Sequence, residues 1–463
     1  MAKISFYGGA QQVTGASYLI ESGFEGSQTQ KKTKILVDCG LYQGSKTYES
    51  HNNDPFVFDA SDIDAVIVTH AHIDHSGRVP KLFKEGYKGK VYSTPATKDL
   101  SAIMLEDSFS LMGHNHRDNK DGHLFGAEDL KNALDNWEGV EYHQQFNIGD
   151  FKIRFLDAGH ILGSAMVEVV IREAESNADK KIVFSGDLGN PPTPLLRATE
   201  KITDANILLV ESTYGDKLHG AKSDRKIQLE RAVEDAVKSG GVLMIPAFSL
   251  ERTQELIFEI NDLVENGRVP SVPVFLDSPL AIKAIEIYKK YENYYNNEAK
   301  DVIETGDQIF KFPLLRFTAS TEESKKINSV PPPKVIMAGS GMSTGGRILH
   351  HEMRYLPDPN STLLIVGYQA PGSLGRQLAD GARSVNIFGE HIPVNAKVMF
   401  LEGYSGHPDY DMLMEFVKNS VDTLEKVFVV QGEPSSSLFL TQRIRDYLGV
   451  ESYSPQLGES FEV

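Results

Sequence analysis

The stretch that decides the reading is His70-Ala71-His72-Ile73-Asp74-His75. It follows the apolar run Ala65-Val66-Ile67-Val68, which is preceded by the acidic turn Ser61-Asp62-Ile63-Asp64. A short β-branched run between polar residues predicts a buried strand over 65–68. The strand should end near Thr69 and drop four candidate ligands into one tight loop. Imidazole and carboxylate bind Zn2+, Fe2+ and Mn2+, and donor softness and geometry favour zinc. The set is too dense for one tetrahedral ion fed from one loop. Two ions fit better, with His70 and His72 on one and Asp74 and His75 on the other. The bland alternative is a surface loop with chance histidines. The chain has 14 His in 463 residues, so three within six positions beside an aspartate fit chance poorly.

Length and composition set the frame. A chain of 463 residues, 40% hydrophobic and 24% charged, reads as a globular protein of two or more domains. The first ten residues hold no long apolar stretch, so no secretory signal is expected. No window approaches the ~18 apolar residues of a membrane span, and no membrane partner is expected. Cys39 is the one cysteine, which excludes an intrachain disulfide and fits a reducing cytoplasm. It sits in Ile35-Leu36-Val37-Asp38-Cys39-Gly40, where buried packing is its default role. The net charge of -17 repels nucleic acid and phospholipid globally. A polyanion would need a local basic groove or metal charge. The groups Lys81, Lys84, Lys88, Lys90 and Lys325, Lys326 read as solvated faces.

The same device, a strand followed by a polar group, recurs along the chain. Strands are predicted over 3–7, 17–21 and 34–38, with a polar loop at 25–32. Asp38 ends the third, either capping a turn or serving a metal site. Helices are predicted over 79–84 and 95–106, and a strand over 90–93. A polar loop at 113–122 carries His114 and His116, with His123 just beyond, in spacing too irregular for a strong metal reading. Strands over 151–156, 182–185 and 207–210 lead to His160, Asp187 and Glu211. Polar groups gathered at one edge of a sheet are what an active site needs.

Beyond residue 215 helix and strand alternate: helices over 227–238, 249–264 and 347–355, strands over 241–245, 274–276, 335–338 and 363–366. This predicts a parallel α/β sheet. Pro331-Pro332-Pro333 marks a loop inside it. The stretch Gly339-Ser340-Gly341-Met342-Ser343-Thr344-Gly345-Gly346 lacks the lysine of a phosphate-binding P-loop and misses the dinucleotide spacing by one residue. It could present backbone N–H groups to a phosphate or be a close-packed turn, and the sequence leaves both open. A strand over 397–401 precedes Gly403-Tyr404-Ser405-Gly406-His407, which resembles a serine-hydrolase elbow only superficially. The chain has no histidine after 407, so that reading is rejected. The last clear strand, 427–430, leads to Gln431-Gly432-Glu433.

Taken together, these residues resemble the metallo-β-lactamase fold and, within it, the β-CASP nucleases, nearly end to end. Asp38, the 70–75 loop, His160 and Asp187 are similar to the fold's successive metal motifs. Glu211 in Val-Glu-Ser-Thr-Tyr-Gly and His407 in Tyr-Ser-Gly-His-Pro-Asp resemble two β-CASP motifs. The stretches around 246–248, 277–281 and 339–342 resemble the inserted domain. The resemblance implies a four-layer αββα metallo-β-lactamase fold with an inserted parallel α/β β-CASP domain. The domains would span 1–207 and 391–463 for the first and 208–390 for the insertion. It implies a zinc-dependent ribonuclease that hydrolyses single-stranded RNA in the cleft between the domains, with Mn2+ as another ion, cytoplasmic, and compatible with a homodimer.

The roles follow from the same resemblance. His70, His72 and His160 would hold the first metal; Asp74, His75 and Asp187 the second, with Asp187 bridging. Asp38 would steer a ligand histidine or the attacking water, and Asp74 would share in the catalytic set. Glu211 and His407 would form an acid pair, His407 protonating the leaving 3′-oxygen. Hydroxyls near Gly341, and Arg376, would contact phosphate. The family's last motif normally supplies a histidine where this chain has Gln431 in Gln-Gly-Glu. A Gln amide oxygen is a neutral and poor zinc ligand, so the second metal should bind more weakly. Gln431 also motivates the alternatives of an RNA-binding scaffold without nuclease activity and a DNA nuclease of the same superfamily. A small-molecule hydrolase fits less well, because the insertion would cover the open cleft.

Overall fold

Side chains alternate across a strand, and that alternation explains the layering of the first unit. In Lys34–Val37, Ile35 and Val37 enter one core while Leu36 enters another. In Ile207–Glu211, Ile207 and Leu209 face the same central core and Leu208 and Val210 an outer one. Strands buried on both faces read as continuous apolar runs, which is why these segments stand out in the sequence.

A computed structural model describes residues 2–22, 32–44, 46–115, 124–172, 178–220, 224–370, 372–401 and 403–463. The histidines at 116 and 123, and residues 25–31 of the expected first loop, lie outside the described residues. The chain divides into one unit of Met1–Pro191, Ala198–Leu218 and His407–Val463 and another of Pro192–Arg197 and His219–Gly406.

The first unit contains two seven-stranded sheets. One runs in the order Ser460–Glu462, Ala2–Gly8, Ser17–Ser22, Lys34–Val37, Ala65–Ile67, Lys90–Ser93, Trp137–Gly139. The other runs Glu451–Tyr453, Lys426–Val430, Ile207–Glu211, Asp179–Phe184, Ala165–Arg172, Phe151–Asp157, Phe146–Ile148. Their facing sides share a core that includes Ile4, Phe6, Ile35, Phe155, Phe184 and Phe428. Helices Val79–Lys84, Pro95–Asn115 and Ala127–Asp135 cover the first sheet through Val79, Leu82, Leu105 and Leu130. Tyr410–Lys418 and Pro434–Leu448 cover the second through Leu413, Phe416, Leu440 and Ile444. The layering is therefore αββα.

The second unit has one six-stranded sheet, ordered Leu315–Phe317, Val274–Leu276, Lys334–Ala338, Val242–Pro246, Thr362–Val366, Lys397–Leu401. All its pairings are parallel, as the helix–strand alternation requires. Lys397–Leu401 pairs in parallel with Thr362–Val366, so this strand is part of the second unit's sheet. The helix expected to begin at 249 begins at Arg252, because Glu251 takes a left-handed φ of 61°. The helix expected over 95–106 continues to Asn115. In the glycine-rich stretch, a Cβ on Gly341 would fall 2.6 Å from the Phe248 ring, so packing alone demands that glycine. Lys81 is not on a solvated face: it is buried, its ammonium donating to the Asp54 carbonyl and pairing with Glu85. Cys39 is buried as expected. No helix among the described residues is long and apolar enough to cross a membrane.

One carboxyl in the second unit gives a pH test. Glu352, fully buried on helix Ile348–Tyr355, is pushed by burial from 4.5 to about 8, although the Ser343 hydroxyl donates to it. The folded chain then keeps a proton that the unfolded chain releases, so stability falls as pH rises from 4.5 to about 8. Glu352→Gln should leave stability near pH 4 unchanged and raise it relative to the native chain at pH 8. Denaturant melts at the two values check this; a constant difference between the proteins would contradict it.

Candidate metal centre

The strand Ala65–Ile67 ends three residues before His70, and a single turn of helix, Ile73–Ser76, carries Asp74 and His75. The loop is tied to its neighbour strand by Asp38, which stands at a left-handed φ of 60°. Asp38 Oδ1 accepts from the Thr69 amide at 2.8 Å, and Oδ2 accepts from the Thr69 hydroxyl at 2.9 Å. Oδ2 also lies 2.7 Å from His75 Nδ1. Close approach requires glycine at Gly40, where a Cβ would sit 1.5 Å from the Asp74 carbonyl oxygen.

The other donors come from the second sheet. His160 follows strand Phe151–Asp157, its backbone N–H donating to Ser164 Oγ at 3.0 Å. Asp187 follows strand Asp179–Phe184. The two loops meet through Gly189, whose Cβ, if present, would be 2.0 Å from the Gly159 carbonyl oxygen. Its N–H donates to Ala158 at 2.8 Å.

Four donor atoms converge. His72 Nδ1 lies 3.1 Å from His70 Nε2 and 3.3 Å from His160 Nε2. Asp187 Oδ2 lies 3.5 Å from His70 Nε2 and 3.6 Å from His160 Nε2. Bonds of about 2.0–2.1 Å around a tetrahedral ion put its ligands about 3.3–3.4 Å apart, so this set has the size of a zinc site. Burial, and then the neighbouring imidazoles, hold His70 and His72 well below their ordinary pKa, which keeps both rings neutral with lone pairs available. Burial disfavours the charge of Asp187, but His75, first by its charge and then by its hydrogen bond, holds the carboxyl well below the usual range. The residues therefore fit a divalent ion at His70, His72, His160 and Asp187.

A second group, Asp187, Glu211 and His407, lies beside the first. His407 Nδ1 is 3.0 and 3.1 Å from the two Glu211 oxygens, and its ring stacks on His160 with centroids 4.7 Å apart. Glu211 is fixed by accepting from the Leu188 N–H at 2.7 Å. Burial opposes charge on His407, but Glu211, then Asp187 and Asp74, raise it to about 9.

Asp74 and His75 belong to neither donor group. Burial pushes the Asp74 carboxyl up to about 6, with His75 pulling it down and Asp187 pushing it up. His75 Nε2 faces Asp187 Oδ1 at 3.2 Å and Gln431 Nε2 at 3.1 Å. Of the weaker phosphate candidates, Ser343 donates to buried Glu352 and Arg376 pairs with Asp380 at 2.9 Å. Three supporting residues escaped the sequence reading. Thr69 links Asp38 to both His70 and His75, and Ser185 Oγ accepts from the Glu211 N–H at 3.0 Å. The buried Tyr18 phenol is raised by burial and then by Asp38, Asp187 and Glu211. Tyr18 and Ser185 have no spacing signal, since their partners are distant in sequence, and the link from Thr69 to Asp38 spans 31 residues.

Comparison with known proteins agrees with this architecture. Family models match a metallo-beta-lactamase superfamily domain over residues 29–185, a Beta-Casp domain over 253–378 and a Zn-dependent metallo-hydrolase RNA specificity domain over 391–455. A ribonuclease of Thermus thermophilus is 37% identical, covering 94% of this chain and 94% of its own. An RNase J-like protein of Methanocaldococcus jannaschii is 32% identical over 99% of each chain. A transcription termination factor of Methanosarcina mazei is 32% identical over 97% of this chain and 70% of its own. A crystal structure of a protein of unknown function from Enterococcus faecalis matches with a TM-score of 0.56 at 12% identity, over 99% of both chains, and bears on the fold alone.

Removing one of the four donors should cost more than the roughly 10–100-fold in metal affinity that outlying partners typically carry. His160→Ala should therefore lose its ion to a chelator at least ~100-fold more readily than the native chain. Chelator competition measures this; unchanged affinity would place the metal elsewhere.

Proposed function

The chain belongs to the metallo-β-lactamase superfamily, in its β-CASP branch, and on that premise we propose that it is a metal-dependent ribonuclease. The observation that carries the reading is the convergence of His70, His72, His160 and Asp187 beside the Glu211–His407 pair. The metal is zinc, with manganese as the other ion this donor set accepts. His75, Asp187 and Asp74 are the residues that would have to hold any second ion, and there it would bind more weakly. When bound, the ion polarises the scissile phosphate and lowers the pKa of a water.

The chain's own residues then do the following. Asp187 turns Oδ2 toward His70 and His160, where it would help hold the ion, and Oδ1 toward His75. Asp38 orients His75 from behind and, through Thr69, fixes the loop. Glu211 holds His407 by Nδ1, so that a proton on the other ring nitrogen, Nε2, can pass to the leaving group. The water gives up a proton to solvent as its oxygen bonds to phosphorus, the P–O3′ bond breaks, the leaving 3′-oxygen takes the His407 proton, and His407 regains one from solvent. The products carry a 5′-phosphate and a 3′-hydroxyl.

The substrate is single-stranded RNA, a reading supported by the ribonuclease relative and the RNA specificity domain match. For a chain of charge -17, the metal supplies the local positive field that RNA needs. We assign 1–207 and 391–463 to the metallo-β-lactamase domain and 208–390 to the β-CASP insertion, with strand 397–401 lent to the sheet of the second unit. The matches at 29–185, 253–378 and 391–455 support this division. The reading extends to a cytoplasmic homodimer, for which sedimentation gives the assembly.

The test is cleavage of a labelled single-stranded RNA beside a DNA of the same sequence. The zinc-loaded protein should cut RNA faster than DNA. His72→Ala should abolish cutting, and His407→Ala should slow it about 10²–10⁴-fold. A fully metal-loaded protein that binds RNA without cutting it, or prefers DNA, would overturn the reading.

A further inference from the structure

The position beside the four-donor site is already occupied by a side chain. Gln431 follows strand Lys426–Val430 in a left-handed conformation, φ 51°. Its N–H donates to the Gly9 carbonyl at 2.7 Å, and its own carbonyl accepts from Thr213 Oγ1 at 3.2 Å. This fixed, buried backbone aims the amide inward. Gln431 Nε2 lies 2.5 Å from Asp187 Oδ1 and 3.1 Å from His75 Nε2. A carboxylate oxygen at 2.5 Å requires the amide N–H here and excludes the amide oxygen, so the orientation is set by chemistry.

An amide nitrogen has no lone pair to offer a cation. It takes up the oxygen of Asp187 that a second ion would need, while Asp187 Oδ2 faces the first site. His75 is equally committed. Its Nδ1 lies 2.7 Å from Asp38, and its Nε2 either accepts from Gln431 or, when protonated, donates to Asp187 Oδ1 at 3.2 Å. In both protonation states Asp187 Oδ1 is engaged by N–H donors. Asp74 joins no donor group that would compensate. A second ion would have to turn the Gln431 amide over and break its bond to Asp187.

We propose that this is a one-metal centre in which the Gln431 amide, hydrogen-bonded to Asp187 and facing His75, fills the place of a second cation. The inference rests on the assignment of the first ion to His70, His72, His160 and Asp187. The amide's partial positive charge then does for Asp187 what the second ion would do: it orients the carboxylate and keeps Oδ2 turned to the first site. A histidine at 431 would offer a lone pair in place of that N–H and open the second position.

The experiment is metal content per full-length chain by mass spectrometry, after dialysis against excess zinc and then buffer, combined with electron paramagnetic resonance of the cobalt(II)-substituted protein. The native chain should hold one ion and show an isolated cobalt signal. Gln431→His should hold close to two and show a spin-coupled pair. Two ions of similar affinity in the native chain, or a coupled cobalt pair, would overturn the proposal and leave the ribonuclease reading standing. No ion at all, or one ion unaffected by His72→Ala, would overturn both. The cobalt signal of the native chain decides the matter even if Gln431→His fails to fold.

Discussion

Three imidazole nitrogens and a carboxylate oxygen, set 3.1–3.6 Å apart in a buried place, bring their lone pairs together. Neutral rings can relieve part of that crowding by ring N–H hydrogen bonds, but only a cation can draw all four lone pairs at once. Burial makes the usual remedy, protonating a histidine, costly at His70 and His72. A divalent ion resolves the conflict at the spacing observed. The rest of the first unit can be read as what holds these four atoms in place.

That restraint is distributed over both sheets. Asp38 and Thr69 fix the loop from the first sheet, and Ser164 and the Gly159–Gly189 contact fix His160 and Asp187 from the second. The central core between the sheets, with Phe6, Phe155, Phe184 and Phe428 buried in it, keeps the two sets of strand ends in register. Glu211 and His407 extend the same logic. Glu211 is itself anchored, by the Leu188 amide, where it touches His407. Gln431 closes the ring from the end of strand Lys426–Val430 in the second sheet, using a hydrogen-bond donor where a second ion would supply charge.

Much of this was legible in the residues. Apolar β-branched runs such as 65–68 and 207–210 are buried on both faces, so they announce strands without alternation, and the polar residues at their ends announce a site. The strand Ala165–Arg172 was not recognised, because Glu168 interrupts its apolar run. Glu168 is tolerated there through its pairing with Arg154 and Lys181, partners that only the folded sheet supplies. The edge strands Glu451–Tyr453 and Ser460–Glu462 are three residues each and mostly polar, too short for a periodic signal. Lys81 looked like part of a solvated cluster because nothing local reveals that the Asp54 carbonyl and Glu85 come to its ammonium. The site shows the same division. His70, His72, His160 and Asp187 follow from residue type and strand ends. The separation of Asp74 and His75 from that group, and the direction of the Gln431 amide, depend on angles no spacing records.

Anomalous diffraction at the zinc absorption edge, on crystals of the protein as purified, tests the central claim most directly. The account predicts one strong peak about 2.0–2.2 Å from His70 Nε2, His72 Nδ1, His160 Nε2 and Asp187 Oδ2. A peak among Asp187, Glu211 and His407 instead, or none within reach of the three histidines, would contradict it.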